Sequence, residues 1–176
     1  MSHFAPIAAL LATFALTSGA QAAEPTFRFA SIDGGSYDTA DWRGHPVLVV
    51  NTASLCGFTP QYDALQDLSD TYAARGLVVL AVPSNDFNQE LADGAAVKQF
   101  CDINFDLTLP MTEITHVTGP QAHDFYLWLN ASHGFAPGWN FNKALIGPDG
   151  ALVATWGAAT KPTASAITTQ IEALLP

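Results

Sequence analysis

The stretch Val47-Leu-Val-Val-Asn-Thr-Ala-Ser-Leu-Cys56-Gly-Phe-Thr-Pro-Gln-Tyr62 joins an apolar run to the start of a helix. Residues 47–50 are typical of a buried parallel strand, and Thr59 followed by Pro60 is typical of a helix N-cap and first turn. Cys56 falls between the two. There the free backbone N–H groups and the helix dipole favour the thiolate, which is the reactive form of the sulfur. The stretch therefore predicts a redox-active cysteine, with a small buried core cysteine as the alternative.

The rest of the chain predicts an α/β fold in which strands alternate with helices. Residues 60–74 carry apolar positions at helical spacing, and residues 77–82 form a second apolar run, so this unit implies a right-handed parallel crossover. A hairpin is expected before the unit, because Asp33-Gly-Gly35 follows an alternating segment. Further elements are expected as a helix over 93–103, a strand over 106–111, a helix opened by residues 119–120, a hairpin over 141–156 and a helix over 162–175. This order is that of a thioredoxin-like fold with an added N-terminal β-hairpin.

Composition restricts the partners that the chain can take. The 176 residues are 49% hydrophobic, and their formal net charge is −10. The length suits a single domain, and the acidic balance argues against nucleic acid and anionic membrane surfaces. Two cysteines are too few for a disulfide framework, although they could form a catalytic pair.

The N-terminus carries the features of a secretory signal peptide over residues 1–22. An apolar region is followed by Ala20-Gln-Ala22, which matches a signal peptidase cleavage site. A mature domain over residues 23–176 in the periplasm or outside the cell is expected. The segment before the apolar region lacks Lys and Arg, so an uncleaved N-terminal anchor is the alternative. After residue 25 no apolar run reaches the roughly 18 residues of a membrane span.

Two later segments complete a recognisable set: Val82-Pro-Ser-Asn-Asp-Phe-Asn-Gln-Glu90 and Trp139-Asn-Phe-Asn-Lys143. Together with the Cys56 stretch, and in this order, they resemble the signatures of the glutathione peroxidase family from about residue 26 to the C-terminus. The resemblance implies a thiol peroxidase in which Cys56 is the nucleophile. It also implies that Gln89, Trp139 and Asn140 activate the sulfur as neutral hydrogen-bond donors, which suits a reaction that begins and ends with an anion.

The sequence departs from the family pattern in the segment that carries Gln89. Ser84 and Asp86 stand where the family has a cysteine and a glutamine, the segment is one residue shorter, and Leu91 replaces a proline. Family members that use thioredoxin carry a second, resolving cysteine in the following helix. Cys101 falls in that helix, one residue before the usual place, so it is the candidate resolving thiol or else a packed core cysteine.

The resemblance implies a peroxide substrate, no cofactor, and glutathione or a thioredoxin-like protein as reductant. The scattered positions of the six Lys and Arg residues count against glutathione, which is anionic. No metal is expected, because the histidines lack the spacing of ligand pairs. The short segment between Pro120 and Trp139 has no room for the loop that tetrameric members use, so a monomer is favoured.

Two other functions compete with the peroxidase. A thioredoxin-like thiol-disulfide oxidoreductase needs a second cysteine close after Cys56, where the chain has Gly-Phe-Thr-Pro60. A non-catalytic binding module with a degraded peroxidase site would explain the altered segment around Gln89.

Overall fold

A computed structural model describes Met1 and residues 24–176 of the chain. The predicted signal peptide over residues 1–22 therefore lies, Met1 apart, outside the described residues. In chain order the elements are β1 (Arg28–Ala30), β2 (Ser36–Asp38), β3 (Val47–Thr52), α1 (Gln61–Tyr72), β4 (Val78–Pro83), α2 (Gly94–Phe105), α3 (Asp124–His133), β5 (Lys143–Ile146), β6 (Leu152–Trp156) and α4 (Ser165–Leu174).

A four-stranded sheet in the order β4-β3-β5-β6 forms the centre of the molecule. Strands β3 and β4 are parallel, as the predicted crossover through α1 requires, whereas β5 runs antiparallel to both β3 and β6. Strands β1 and β2 form a separate antiparallel hairpin. The architecture is the predicted α/β fold with an added N-terminal hairpin.

Helices cover both faces of the sheet, because the side chains of β3 alternate between them. Leu48 and Val50 belong to a core cluster that contains apolar residues of α1, α2 and α4. Val47 and Val49 belong to a second cluster with residues of β1 and α3. Since β3 is buried on both faces, its sequence reads as a continuous apolar run, as is usual for a central parallel strand.

Three helix starts differ from the sequence prediction. Helix α4 begins at Ser165 and not at residue 162. Pro60, and not Thr59, occupies the N-cap position of α1. Thr59 belongs to the turn over residues 57–60, where its N–H donates to the Cys56 carbonyl oxygen at 3.1 Å. Helix α3 begins at Asp124 and not at residues 119–120. Gly119 has a φ of +73°, which is left-handed backbone that a helix cannot contain, and His123 caps the helix instead.

The strand predicted over residues 106–111 is not formed. The segment makes one isolated bridge, which joins Met111 to Ala81. Asp106 caps α2 in a left-handed conformation (φ +47°), Pro110 has no N–H, and the N–H of Thr108 donates to the Gln66 side chain at 2.9 Å. The segment therefore lacks the free backbone groups that a regular ladder needs.

Within residues 24–176 no helix combines the length and the apolar character of a bilayer span.

A buried lysine ties the sheet to two helices. Lys143, the first residue of β5, is 0% exposed, and its ammonium group donates to Gln61 Oε1 and to the Thr160 carbonyl oxygen. Gln61 in turn donates through Nε2 to the Ala158 carbonyl oxygen at 2.7 Å. These bonds fasten the start of α1 and the segment before α4 to the sheet. Because the partners are neutral, burial lowers the pKa of Lys143 to about 8.

We expect Lys143→Met to change how the free energy of unfolding depends on pH. The folded protein releases the Lys143 proton near pH 8, whereas the unfolded chain keeps it up to about its ordinary value of 10.5. The unfolded state thus binds more protons over this window, so the native protein gains stability as the pH rises through it, by up to about 3 kcal/mol.

Urea unfolding at several pH values between 7 and 10.5 measures this gain. The methionine variant should lack it, and Lys161→Met, which removes an exposed lysine, should keep it. A difference between native protein and Lys143→Met that stays constant with pH would contradict the assignment.

Candidate active site

Cys56 lies in the segment between β3 and α1, which we call the cysteine loop (residues 53–60). The residue is 4% exposed and belongs to the core cluster that contains Tyr62 and Phe141. The backbone N–H of Phe58 donates toward Sγ at 3.5 Å. Leu55 next to it is 61% exposed, so the buried sulfur lies one residue away from the protein surface.

The segment after β4 runs along the cysteine loop and is fixed to it. We call it the glutamine loop (residues 84–92). The N–H of Leu55 donates to the Gln89 carbonyl oxygen at 2.9 Å, and the N–H of Ser54 donates to Glu90 Oε1 at 3.0 Å. Two consecutive residues of one loop therefore hold two consecutive residues of the other, immediately before Cys56.

A turn at Asn88 shapes the glutamine loop just before Gln89. Asn88 adopts a left-handed conformation with a φ of +56° and donates its N–H to the Asn85 carbonyl oxygen at 2.9 Å. The Asn85 side chain then accepts from the N–H of Glu90 at 3.1 Å. Asparagine tolerates left-handed backbone better than most residues, so Asn88 suits a turn that replaces the missing residue.

The segment before β5 is the third part of the site, and we call it the tryptophan loop (residues 139–142). Asn51 at the end of β3 donates through Nδ2 to the Trp139 carbonyl oxygen at 2.9 Å and accepts the N–H of Asn142 at Oδ1 at 3.0 Å. The Asn51 carbonyl oxygen accepts the N–H of Phe141, whose φ is +62°. One asparagine thus holds the tryptophan loop on the strand that leads to Cys56.

The structure brings the three expected donors together. Asn140 is fully buried and donates through Nδ2 to Gln89 Oε1 at 3.1 Å, which leaves the Gln89 amide N–H groups on the other side of that carboxamide. Trp139 is 42% exposed, and its ring packs on Phe87 of the glutamine loop with 5.3 Å between centroids. Within residues 24–176, Cys56 Sγ accepts a hydrogen bond from the Phe58 N–H and none from these three side chains. Their contacts join the glutamine and tryptophan loops to each other.

Asp86, which replaces the family's glutamine, anchors the glutamine loop on its far side. Its carboxylate accepts the N–H groups of Val117 and Thr118 at 2.6 and 2.9 Å, and its other oxygen contacts His116 Nδ1 at 2.6 Å. Partial burial works to raise the pKa of Asp86, but these hydrogen bonds outweigh it and hold the pKa below its usual value. The Asp86 side chain thus anchors the glutamine loop to residues 116–118.

Cys101 lies apart from the surface that carries Trp139. It is 1% exposed on the inner face of α2, and burial raises the pKa of its thiol to about 12. Both cysteines are free thiols. Cys101 is a packed residue of the same core cluster that contains Cys56.

The sequence pointed to the donors but not to the residues that position them, namely Asn51, Asp86, Glu90 and Asn142. Asn51 gave a signal, since it is the first polar residue after an apolar strand. Glu90 also gave a signal, because it directly follows Gln89.

Within residues 24–176 no group of three or more His, Cys, Asp and Glu side chains is arranged to hold a metal ion.

Comparisons with known proteins agree with this geometry. The family model described as glutathione peroxidase matches residues 26–130. The chain is 37% identical to the hydroperoxy fatty acid reductase gpx1 of Synechocystis sp. over 172 aligned positions, covering 89% of this chain and 99% of that protein. It is 35% identical to the glutathione peroxidase-like peroxiredoxin 2 of Saccharomyces cerevisiae, covering 81% of this chain and 90% of that protein.

Solved structures give the same result. The crystal structure of Trgpx in apo form superposes with a TM-score of 0.66 at 30% identity, covering 84% of this chain and 92% of that chain. A thiol:disulfide interchange protein from Chlorobium tepidum TLS shares the fold at a TM-score of 0.63, with 15% identity and coverage of 86% of this chain and 94% of that chain. Sequence and fold agree, and we conclude that the chain belongs to the glutathione peroxidase family and is a glutathione peroxidase-like thiol peroxidase.

Proposed function

We propose that this peroxidase reduces hydroperoxides through a thiolate and sulfenic acid cycle at Cys56. The thiolate attacks one peroxide oxygen, so an S–O bond forms while the O–O bond breaks. The sulfur loses two electrons, and the departing oxygen takes them together with a proton to become water or an alcohol. The observation that supports the proposal is the hydrogen bond from the Leu55 N–H to the Gln89 carbonyl oxygen, together with the bond from Asn140 to the Gln89 side chain.

Gln89, Trp139 and Asn140 act as the hydrogen-bond donors of this step. Carboxamide and indole N–H groups stabilise negative charge first on sulfur and then on the departing oxygen. They do so without an ion pair, which would bind the thiolate and weaken its attack. The buried Asn140 orients Gln89 by occupying its oxygen, so the Gln89 amide is left to donate.

The surface around Cys56 favours organic hydroperoxides in addition to hydrogen peroxide. Exposed Leu55, half-buried Phe58 and the packed rings of Phe87 and Trp139 offer apolar contacts to a carbon chain. The Synechocystis relative is named for hydroperoxy fatty acids, which is the same class of substrate.

The sulfenic acid returns to the thiol with two reducing equivalents from thiols. A first thiol displaces the hydroxyl as water and forms a disulfide with Cys56, and a second thiol reduces that disulfide. Glutathione would need cationic side chains near the sulfur to bind its carboxylates. Arg28 pairs with Asp38, Lys98 pairs with Asp33, and Lys143 is buried, so a thioredoxin-like protein is the better reductant.

The peroxidase works as an exported monomer. Export is supported by the apolar N-terminal segment and by Ala20-Gln-Ala22 before the family domain. The monomer is supported by the short segment that links Pro120 to Trp139.

The nucleophile and the donors are tested by substitution. Cys56→Ser should abolish peroxide consumption, because a serine hydroxyl is a far weaker nucleophile. Gln89→Ala and Trp139→Phe should each lower the second-order rate constant with peroxide by about tenfold to a hundredfold, since each removes one donor. Stopped-flow consumption of hydrogen peroxide measures these rates.

Cys101→Ser is the matched control in that series. Because Cys101 is buried and its pKa is raised to about 12, its removal should leave the rate of the first oxidation within about twofold of the native value. Mass spectrometry after one equivalent of peroxide should show one added oxygen on Cys56. Native rates for Cys56→Ser would refute the cycle, and a rapid crosslink between the two cysteines would make Cys101 the resolving thiol.

The choice of reductant is a separate prediction. In steady-state assays we expect the value of kcat/KM for a thioredoxin to exceed that for glutathione by at least about a hundredfold, because a protein dithiol needs no cationic site for its recognition. Glutathione turnover that equals thioredoxin turnover would contradict this expectation.

Export is tested on the full chain expressed in a bacterium with two membranes. The protein recovered from the periplasm should have the mass of residues 23–176, because cleavage is expected after Ala22. Ala22→Asp should block cleavage, whereas Ala23→Ser should not. Full-length native protein that stays in the cytoplasm would refute the proposal.

A further inference from the structure

We infer that Glu90 is a positioning residue of the peroxidase reaction, which holds the cysteine loop against the glutamine loop and thereby sets the place of the Cys56 sulfur relative to the Gln89 amide. The inference rests on the proposed function, since it concerns the geometry of that cycle. Glu90 acts through the two loops and not through contact with the peroxide.

One oxygen of Glu90 binds both loops at once. Oε1 accepts the N–H of Ser54 at 3.0 Å and the N–H of Leu91 at 2.8 Å. The adjacent Gln89 carbonyl oxygen accepts the N–H of Leu55. Ser54 stands two residues before Cys56, and Gln89 stands one residue before Glu90. Any displacement of the Glu90 carboxyl group is therefore transmitted to the nucleophile and to its donor together.

The Glu90 carboxyl group lies in surroundings that exclude water, and this strengthens its hydrogen bonds. Glu90 is 8% exposed, and hydrogen bonds gain strength where water is excluded. Tyr62 and Cys101 face the carboxyl group from α1 and α2, and neither carries a positive charge. Burial therefore raises the pKa of Glu90, against the opposing effect of its hydrogen bonds from Ser54 and Leu91.

A buried carboxyl group is an unusual choice for this place. Glu90 Oε2 is buried without a hydrogen-bond partner, and an apolar side chain at residue 90 would not bury such an atom. A residue kept only for packing would not need an acceptor that binds two loops. The position of Glu90 Oε1 between the N–H groups of Ser54 and Leu91 is explained if this oxygen is required to fix the two loops for the reaction.

Two variants of similar size separate the acceptor from the packing. Glu90→Gln keeps a carbonyl oxygen for the two N–H groups, so its rate constant for Cys56 oxidation should stay within about threefold of the native value. Glu90→Met fills the same space without an acceptor, and we expect its rate constant to fall by at least about tenfold, since small displacements at a reacting centre are costly. Glu113→Met, at an exposed glutamate, is the control and should match the native rate.

Rate constants are measured by stopped flow at a temperature at which each variant is folded. A methionine variant that is less stable but reacts at the native rate would overturn the inference, because it would show a purely structural role. If Glu90→Met does not fold, Glu90→Asp replaces it, since its shorter side chain cannot reach both amides; a native rate for that variant would overturn the inference equally.

The pH dependence provides a second readout. Because the folded protein holds the Glu90 proton above the usual value of 4.5, the native protein should lose stability relative to Glu90→Gln as the pH rises from that value. Failure of the proposed function is distinct, because it would appear as native activity in Cys56→Ser whatever the Glu90 variants do.

Discussion

The site depends on the attachment of the cysteine, glutamine and tryptophan loops to one edge of the central sheet. Asn51 is the residue that is most important for this attachment. Strands β3 and β4 are parallel, so the cysteine and glutamine loops leave the sheet at the same edge. Strand β5 is antiparallel to β3, so the tryptophan loop enters the sheet at that edge. Asn51 then binds the tryptophan loop through its backbone and both side-chain polar atoms. Residues almost ninety positions apart in the chain become neighbours for this reason.

The same edge contains polar groups that a core built only for stability would avoid. Lys143 is buried among neutral acceptors, and Asn140 Oδ1 and Glu90 Oε2 are buried without partners. Each such group costs free energy relative to an apolar side chain that packs well. Their remaining polar atoms bind irregular segments: Asn140 donates to Gln89, Glu90 accepts from Ser54, and Lys143 donates to Thr160. The cost in folding free energy thus falls mainly on the region of the three loops, where the backbone must be irregular so that Gln89, Trp139 and Asn140 can approach one another.

The sequence allowed the fold to be predicted, because hydrophobic periodicity and helix caps are local signals. The runs at Val47 and Leu77 predicted the parallel pair, and Asp93 predicted the start of α2. Local signals failed where distant contacts decide the outcome. Residues 106–111 have a strand-like pattern, but the Gln66 side chain takes the backbone N–H that a ladder would use. Gln89, Trp139 and Asn140 were inferred from the resemblance to the family. The positioning roles of Asn51 and Glu90 could not be predicted from the sequence, since their hydrogen-bond partners lie 36 to 91 positions away in the chain.

The altered glutamine loop shows how a family site tolerates a change of length. Shortening a loop frees Gln89 to move unless new contacts fix both of its sides. Asn88 closes the shorter turn, Glu90 binds the side that faces Cys56, and Asp86 binds Val117 and Thr118 on the far side. A glutamine at position 86 could not offer an anionic acceptor to two backbone N–H groups and a histidine. A turn at Asn88, an acceptor at Glu90 and a charged anchor at Asp86 together hold the glutamine loop from both sides, so the Gln89 carboxamide keeps its contact with Asn140.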